Sequence, residues 1–428
     1  MKVVRKSAQS LTLRDNSQGR QEMNDLVVKI IDSVKEFGDE KLLELGRKFD
    51  SPKLGELRVT KAEIEEAVRL LDPGLRKSLE LSIANQRKFQ QSIIEPKPAV
   101  VETMPGVKVW REWRPIERVG LYVPGGLAAY PSTVIMNVVP AQVSGCKNVV
   151  ITTPVNRSGQ VSQSVLAVAG LLGVDEIYKV GGAQAIAALA YGTETIKPVY
   201  KIFGPGNQFV TVAKQLVQQD VAIDMPAGPS EILIIADDTA NPAWVAADLL
   251  SQAEHGKDSI SILLTTSQKL ATSVQQELSV QLEALPTKEV ARVSLEANGQ
   301  IVLVDSIEAA LELANDFAPE HLELCVSEPD NYLSAICNAG AVFVGSFTPE
   351  VAGDYASGSN HVLPTAGFAK SYSGLSVEAF GKWVEFQSIT KQGFQELGGS
   401  VVNIAEAEGL WAHAEAAKRR LISKRNLK

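Results

Sequence analysis

Apolar and charged residues alternate through residues 20–95 with the period of an amphipathic helix. In the stretch EMNDLVVKIIDSVKEFGDEKLLELGRKF, one stripe carries Leu26, Ile30, Ile31 and Val34. The stretches KAEIEEAVRLL and LRKSLELSIANQRKFQQSI repeat this spacing. The pattern predicts packing helices, because intervals of three and four residues place apolar side chains on one helix face.

The pattern changes near residue 115, where short β-rich runs begin to alternate with helical runs. RVGLYV, KNVVITT, EIYKV and VYKIF form a first series, and EILIIAD, SISILLTT and QIVLVD form a second. Such alternation is typical of parallel sheets covered by helices. The number of runs suffices for two sheets, so the sequence predicts an α/β fold with two Rossmann-like α/β units and mainly parallel sheets.

These patterns divide the chain into five segments. We expect an N-terminal arm over 1–19, a helical segment over 20–121 that packs with the second α/β unit, and the first α/β unit over 122–231. The second α/β unit follows over 232–375. Residues 376–428 are polar with helical spacing, and they predict a helical C-terminal tail.

The composition narrows the class of protein. Hydrophobic residues make up 45% and charged residues 21% of the chain, which is ordinary for a globular protein. The net charge of −8 offers no basic excess for nucleic acid. The first residues lack the apolar core of a signal peptide, and no stretch approaches the roughly 18 apolar residues of a membrane span. We therefore expect a cytoplasmic protein whose partners include neither nucleic acid nor a membrane.

Three cysteines, Cys146, Cys325 and Cys337, are odd in number and widely spaced. They exclude a disulfide framework and a cysteine-rich zinc site, and they fit a reducing compartment. Cys146 precedes an apolar run and is expected to be buried. Burial raises the pKa of a thiol, which disfavours Cys146 as a thiolate nucleophile.

Histidine is rare, and one of its four positions lies in the stretch NPAWVAADLLSQAEHG, which predicts a helix. Asn241 can cap this helix, Pro242 suits its first turn and Gly256 suits its C-terminal stop. Gln252 and His255 then lie on neighbouring points of one face. Two ligands on one face are half of a metal site.

A second histidine follows a carboxylate in NDFAPEHLEL. Pro319 ends the preceding helical stretch, so Glu320 and His321 fall at an element boundary. A loop there can present both side chains to a cleft. A surface salt-bridging pair is the alternative interpretation.

The remaining histidines also have carboxylates nearby. Asp354 and His361 flank a run of small residues in GDYASGSNH, and Glu408 and His413 occur in EGLWAH. A set of Gln, His, Asp and His offers nitrogen and oxygen ligands that suit zinc, although Gln is an uncommon zinc ligand.

Three glycine turns join a strand to a helix: YVPGG at 122–126, VGGAQ at 180–184 and FGPGN at 203–207. Helix N-termini with small residues can hold anions such as a pyrophosphate. None of the three matches G-x-G-x-x-G, and no G-x-x-x-x-G-K-[ST] occurs. The residues alone therefore indicate an α/β enzyme and leave a metal and a dinucleotide as open options.

Eight blocks in order resemble the histidinol dehydrogenase family: GLYVPGG, VGGAQAIAALAYGTE, IFGPGN, IDMPAGPSE, DLLSQAEHG, APEHLEL, GDYASGSNHVLPT and EGLWAH. The resemblance extends from about residue 20 to 420. It implies a zinc-dependent enzyme that oxidises L-histidinol to L-histidine by way of an enzyme-held L-histidinaldehyde. Two NAD+ are reduced, and the reaction is the last step of histidine biosynthesis.

The resemblance also implies roles for individual residues. One zinc per subunit would be held by Gln252, His255, Asp354 and His413, and these ligands together with His321 would also contact substrate. Glu320 and His321 resemble the catalytic acid–base pair. The other matched positions, Ser230 and Glu408 for substrate and Tyr122, Gln184 and Asn207 for NAD+, complete the site. His361 is not among the implied ligands, and we expect it to order its loop.

In the family the C-terminal segment docks on the partner subunit of a homodimer. The resemblance therefore implies a homodimer with shared active sites, in which Glu408 and His413 reach the site of the other chain. It also implies that His321 accepts the hydroxyl proton and that Glu320 activates the water that adds to the aldehyde.

Three other functions remain as alternatives. A zinc hydrolase could use the same ligands but would not need the glycine turns. A non-enzymatic nucleotide-binding protein would not need Glu320 and His321. A member of the same family could act on another small diol or amino alcohol, although the presence of Glu408 favours histidinol.

Overall fold

The computed structural model describes residues 1–5, 11, 20–94, 99–125, 129–225 and 228–421. The strands, in chain order, are β1 (Lys2–Arg5), β2 (Val101–Met104), β3 (Val107–Pro115), β4 (Arg118–Tyr122), β5 (Asn148–Thr152), β6 (Glu176–Tyr178), β7 (Lys201–Phe203), β8 (Ala222–Ile223), β9 (Glu231–Ala236), β10 (Ile260–Thr265), β11 (Gly299–Leu303), β12 (His321–Cys325), β13 (Ala341–Val344) and β14 (Gly381–Ile389). The helices, in the same order, are α1 (Arg20–Phe49), α2 (Lys61–Arg69), α3 (Pro73–Ile93), α4 (Pro131–Ser144), α5 (Gln163–Leu171), α6 (Gly182–Tyr191), α7 (Gln208–Val217), α8 (Pro242–Ala253), α9 (Gln268–Ala284), α10 (Lys288–Asn298), α11 (Ile307–Phe317), α12 (Glu350–Tyr355), α13 (Lys391–Ala407) and α14 (Trp411–Leu421).

Two compact units share these elements. The larger unit comprises Met1–Ser92 and Ile116–Phe380, and the smaller unit comprises Ile93–Pro115 and Gly381–Lys428. Each unit is therefore assembled from two stretches that are distant in sequence. Among the described residues, no helix is both long enough and apolar enough to cross a bilayer.

The larger unit contains a first sheet with the strand order β6-β5-β4-β7-β8, in which all neighbours are parallel. Its central strand β4 is buried, with Val119 and Leu121 fully enclosed. The chain adds β5 and β6 on one side of β4 and then β7 and β8 on the other. The carboxyl ends of β4 and β7 therefore flank a topological switch point, where doubly wound sheets bind their ligands.

A second sheet of the larger unit has the order β1-β11-β10-β9-β12-β13, again with parallel neighbours. In β9, Ile232 and Ile234 pack in one cluster with α8, α9 and α10. Leu233 and Ile235 pack in another cluster with α11. Both faces of this sheet are thus covered by helices. The predicted α/β fold with two mainly parallel sheets is confirmed.

The N-terminal helices pack against the first sheet's helices. Helix α1 buries Val27, Ile31 and Val34 in a cluster with residues of α6 and α7, and α2 packs on α5. Helices α1 and α2 therefore pack on the first α/β unit and not on the second, because an apolar stripe identifies a buried face but not its partner. Helix α3 does contact the second unit, where Asn85 Nδ2 donates to Ala356 O at 2.8 Å. Leu26, which was expected on the stripe, is exposed. The N-terminal strand β1 instead joins the second sheet beside β11.

The smaller unit contains an antiparallel sheet with the order β14-β3-β2, together with α13 and α14. Trp113 meets Trp383 edge-on across the sheet at 5.2 Å between ring centroids, and Trp110 stacks on Phe386 at 5.5 Å. The prediction of helices in both segments is wrong over these strands. Aromatic and β-branched side chains favour strands because they pack across neighbouring chains, and that pairing is not local.

Candidate active site

Helix α8 begins as the sequence predicts. The side-chain oxygen of Asn241 accepts a hydrogen bond from the Ala243 N–H at 2.9 Å, and Pro242 opens the helix. The helix ends at Ala253, so His255 lies just beyond it and is exposed. His255 Nδ1 lies 2.9 Å from Ser251 O. Because a carbonyl only accepts, Nδ1 carries the hydrogen, and Nε2 is the nitrogen that can bind a cation.

Glu320 and His321 lie at the start of a central strand and are both buried, which excludes the surface salt bridge. Strand β12 pairs with β9, and this register brings both residues to Glu231. Glu320 Oε2 accepts a hydrogen bond from the Glu231 N–H at 2.8 Å. His321 Nδ1 donates to Glu231 O at 2.9 Å, which leaves Nε2 as the basic nitrogen.

Burial sets the protonation of this pair. It lowers the pKa of His321 below its usual value, so the ring is neutral at pH 7 and can accept a proton. It raises the pKa of Glu320 well above its usual value, and the nearby carboxylates of Glu231 and Asp354 act in the same direction. Two adjacent groups with opposite shifts are typical of acid–base catalysis.

Asp354 and an unexpected residue, Glu350, face His321 from helix α12. The Nε2 atom of His321 lies 3.9 Å from Asp354 Oδ1. Ligand atoms of His321, Glu350 and Asp354 all lie within 4.8 Å of one another, close enough to surround a metal ion. Burial, followed by the charge of Asp354, raises the pKa of Glu350 to about 8. The sequence held one signal for Glu350, since it precedes Asp354 by four residues on one helix.

Buried polar atoms without a hydrogen-bond partner are concentrated here. Within the described ranges they include Gln252 Oε1, His321 Nε2, Asp354 Oδ1 and His361 Nε2. Native proteins pair nearly all buried polar atoms, so such a group indicates a place for a cation or a ligand. Its nitrogen and oxygen donors fit zinc. The structure therefore brings Gln252 and Asp354 close to Glu320 and His321.

Ser230 and His361 border the same region. Ser230 directly precedes β9, and its carbonyl accepts from the Ile260 N–H at 2.9 Å. The loop that carries His361 is held by its neighbour Asn360, whose Nδ2 donates to Met136 O at 2.7 Å. The Nε2 atom of His361 is buried and has no hydrogen-bond partner among the described residues.

Tyr122, Gln184 and Asn207 lie at the carboxyl edge of the first sheet. Tyr122 ends β4 and is buried, and its hydroxyl accepts from the Gly182 N–H at 3.2 Å. Gln184 is buried in the first turn of α6. Asn207 caps α7, next to the switch point between β4 and β7. Helix N-termini at such a point are suited to the phosphates of a dinucleotide.

The turn at 203–207 depends on a glycine. Gly204 has φ +107°, and a Cβ there would collide with Tyr122 O. Its N–H donates to Asp224 at 2.8 Å, and Lys214 Nζ donates to its carbonyl at 3.0 Å. The backbone can therefore pass close to the end of β4 only because this position has no side chain. Gly126 of the first glycine turn lies outside the described residues.

Glu408 and His413 belong to the smaller unit. Glu408 follows α13 and His413 lies in the first turn of α14, and both side chains are exposed.

Cys146 is not an available nucleophile. Its thiol lies 3.3 Å from Phe380 O, and burial raises its pKa to about 11. At neutral pH the thiolate is therefore scarce.

A buried pair of titratable side chains beside a group of unpartnered buried nitrogen and oxygen atoms is typical of the site of an α/β enzyme. A family model described as Histidinol dehydrogenase matches residues 13–421. The chain belongs to the histidinol dehydrogenase family, and it is therefore an oxidoreductase of histidine biosynthesis.

Known proteins match this chain over nearly its full length. The chain is 50% identical over 403 residues to a histidinol dehydrogenase of Bacteroides thetaiotaomicron, covering 93% of this chain and 92% of the relative. It is 47% identical over 395 residues to one of Methanothermobacter thermautotrophicus, covering 92% of each. The crystal structure of histidinol dehydrogenase from Elizabethkingia anophelis has a TM-score of 0.93 at 46% identity, covering 96% of this chain and 95% of that one.

Proposed function

We propose that this chain oxidises L-histidinol to L-histidine by way of L-histidinaldehyde, with the reduction of two NAD+. The observation that carries this assignment is the group of unpartnered buried atoms on Gln252, His321 and Asp354 beside Glu320. Such a group suits a substrate that carries an alcohol, an amine and an imidazole, because each of its polar groups needs a partner.

The metal of this enzyme is zinc, held in part by Gln252, His255 and Asp354. Zinc when bound supplies a positive charge that can hold the amine and imidazole nitrogens of the substrate. What supports this ligand set is the chemistry of its donors, since Gln252 offers an oxygen, His255 a nitrogen and Asp354 a carboxylate. Ser230 completes the substrate contacts from this chain.

Two proton acceptors serve the two oxidations. In the first, Nε2 of His321 takes the hydroxyl proton while hydride passes to NAD+, giving the aldehyde and NADH. In the second, Glu320 accepts a proton from the water that adds to the aldehyde. Hydride then passes from the hydrate to a second NAD+, giving the carboxylate. Overall, histidinol, water and two NAD+ yield histidine, two NADH and three protons.

NAD+ binds at the carboxyl edge of the first sheet, against Tyr122, Gln184 and Asn207. The N-terminus of α6, which has no side-chain cap, suits its pyrophosphate, while Asn207 caps α7 by accepting from the Phe209 and Val210 N–H groups. Because Tyr122 is already fixed by the Gly182 N–H, the edge is organised before the cofactor arrives.

Each active site is shared between the two chains of a homodimer. Glu408 and His413 of the partner subunit complete the substrate and zinc contacts. In support, the segment around them carries exposed apolar side chains, with Ile404 61%, Leu410 43% and Trp411 67% exposed. Apolar surface of this kind is typical of protein–protein contacts.

The three free cysteines fit a cytoplasmic enzyme.

A spectroscopic assay tests this function. Purified protein with L-histidinol and NAD+ should produce NADH, and dialysis against a chelator should abolish the signal until zinc is restored. A small diol without an imidazole serves as the control substrate. Equal rates with that diol, or full activity in the dialysed protein, would contradict the proposal.

A further inference from the structure

Glu350 occupies a position that links the proposed zinc ligands without being free to act as one. It is the first residue of α12 and is fully buried, and Asp354 lies one turn further along the same helix. Its Oε1 accepts a hydrogen bond from Gln252 Nε2. Its Oε2 accepts one from Ser251 Oγ at 2.8 Å. Both carboxylate oxygens are therefore engaged by α8.

The hydrogen bond from Gln252 Nε2 to Glu350 determines which atom of the Gln252 amide can face a cation. An amide has a donor nitrogen and an acceptor oxygen, and only the oxygen can bind a cation. Because Nε2 is held by Glu350, Oε1 points elsewhere, and it is buried without a partner. Ser251, the other residue held by Glu350, also accepts from His255 Nδ1 through its carbonyl at 2.9 Å.

A second contact ties Glu350 to the strand that carries the catalytic histidine. The Glu350 N–H donates to Glu323 Oε1 at 2.8 Å. Glu323 is buried in β12, two residues after His321. The chain of contacts from Glu323 through Glu350 to Gln252 therefore joins β12, α12 and α8, the elements that carry or adjoin the site.

We propose that Glu350 is a positioning residue for the metal, which orients the Gln252 amide and fixes α12 against α8 so that Gln252 and Asp354 face one cation. This inference rests on the proposed zinc site. The competing role is that of a direct ligand, since Glu350 lies within the same cluster as His321 and Asp354. Side chains that hydrogen-bond a metal ligand in this way change metal affinity by about 10–100-fold.

Two substitutions of Glu350 distinguish a role in hydrogen bonding from a role that depends on its charge. The dissociation constant for Co2+ is measured on metal-free protein by competition with a chromophoric chelator, and the visible spectrum of bound Co2+ is recorded. Glu350→Ala should weaken binding about 10–100-fold and shift the spectrum, because Gln252 is released. Glu350→Gln should restore most of the affinity, since an amide oxygen still accepts from Gln252. Glu254→Gln, an exposed change on the same stretch, should leave the affinity unchanged.

If Glu350→Ala and Glu350→Gln weaken Co2+ binding equally, the inference fails. The charge of the carboxylate would then matter, and not its hydrogen bond with Gln252. If Glu350→Ala fails to fold, Ser251→Ala serves in its place. It removes one of the two anchors and should weaken Co2+ binding by a smaller factor, whereas an unchanged affinity would contradict the inference.

A double-mutant cycle tests whether Glu350 acts through Gln252. In a Gln252→Ala background, Glu350→Ala should cost little further affinity. Fully additive losses would identify Glu350 as a ligand in its own right and would overturn the positioning role. The proposed site fails separately if Gln252→Ala and Asp354→Ala each leave Co2+ affinity at the wild-type value.

Discussion

His321 donates from Nδ1 to the main-chain oxygen of Glu231 over 2.9 Å, and this single contact fixes which ring nitrogen is basic. The Nε2 atom is left buried and unpartnered, 3.9 Å from Asp354 Oδ1. Glu320 is held by the N–H of the same residue at 2.8 Å. The backbone of Glu231 thus orients the two side chains that we propose as proton acceptors in the successive oxidations.

That division of roles predicts unequal effects of Glu320→Gln on the two halves of the reaction. Oxidation of L-histidinaldehyde should slow by about 10²–10⁴-fold, because the hydrating water loses its base. The first hydride transfer should slow far less. Single-turnover NADH formation from histidinol and from histidinaldehyde measures the two halves separately. Equal slowing of both would show that the roles are wrongly divided.

Gly204→Ala should impair cofactor binding specifically. A Cβ at φ +107° meets Tyr122 O, so the turn must move and its hydrogen bonds to Asp224 and Lys214 weaken. We expect the KM for NAD+ to rise by about tenfold or more, as for the loss of one charge-assisted hydrogen bond. The matched control is Gly173→Ala, a position with φ +71° and open space around it. That control should lower thermal stability slightly and leave the KM for NAD+ unchanged.

Asp50, which has no role in the proposed reaction, should make the stability of the fold depend on pH. Burial raises the pKa of its carboxyl from 3.8 to about 6, with Arg157 opposing, and its Oδ2 is buried without a partner in the described part of the chain. A carboxyl with a raised folded-state pKa stabilises the fold at low pH and loses that contribution as pH rises to about 6.

Asp50→Asn should therefore stabilise the protein at pH 7.5 by about 1–2 kcal/mol, a value reduced for the partial exposure of the group. The gain should vanish near pH 4. Urea unfolding at both pH values provides the measurement. A gain that is larger at pH 4 than at pH 7.5 would contradict the sign of this effect.

The proposed sharing of each site between two chains predicts complementation between two inactive variants. His255→Ala and His413→Ala homodimers should each be nearly inactive. In a mixed dimer, one site carries both changes and the other carries neither, so random pairing makes about a quarter of all sites native. Differently tagged chains, co-expressed and co-purified, test this. Mixed dimers that form and yet stay as inactive as their parents would mean that both residues serve the same chain's site.

The sequence predicted those parts of the fold that depend on local patterns. The apolar runs of β4, β5, β9 and β10 identified the two parallel sheets, and Asn241 marked the start of α8. Local patterns did not reveal β14, whose partner β3 lies more than 250 residues away in the chain. The predicted packing partner of α1 was wrong for the same reason, because the choice of partner depends on tertiary contacts.

The sequence likewise predicted only part of the candidate site. Gln252, His255, Glu320, His321 and Asp354 carried signals in the sequence through their residue types and spacing. The backbone of Glu231 carried no side-chain signal, and it meets His321 only through strand pairing. Glu350 was missed because its spacing from Asp354 does not show that it will be buried between Ser251 and Gln252.

The most direct test of the account is the yield of NADH per L-histidinol at completion, with free aldehyde assayed in the same sample. If Glu320 and His321 serve two oxidations in one site as proposed, each L-histidinol should give two NADH and one L-histidine, with almost no aldehyde released. One NADH per L-histidinol, with aldehyde accumulating in solution, would contradict the account.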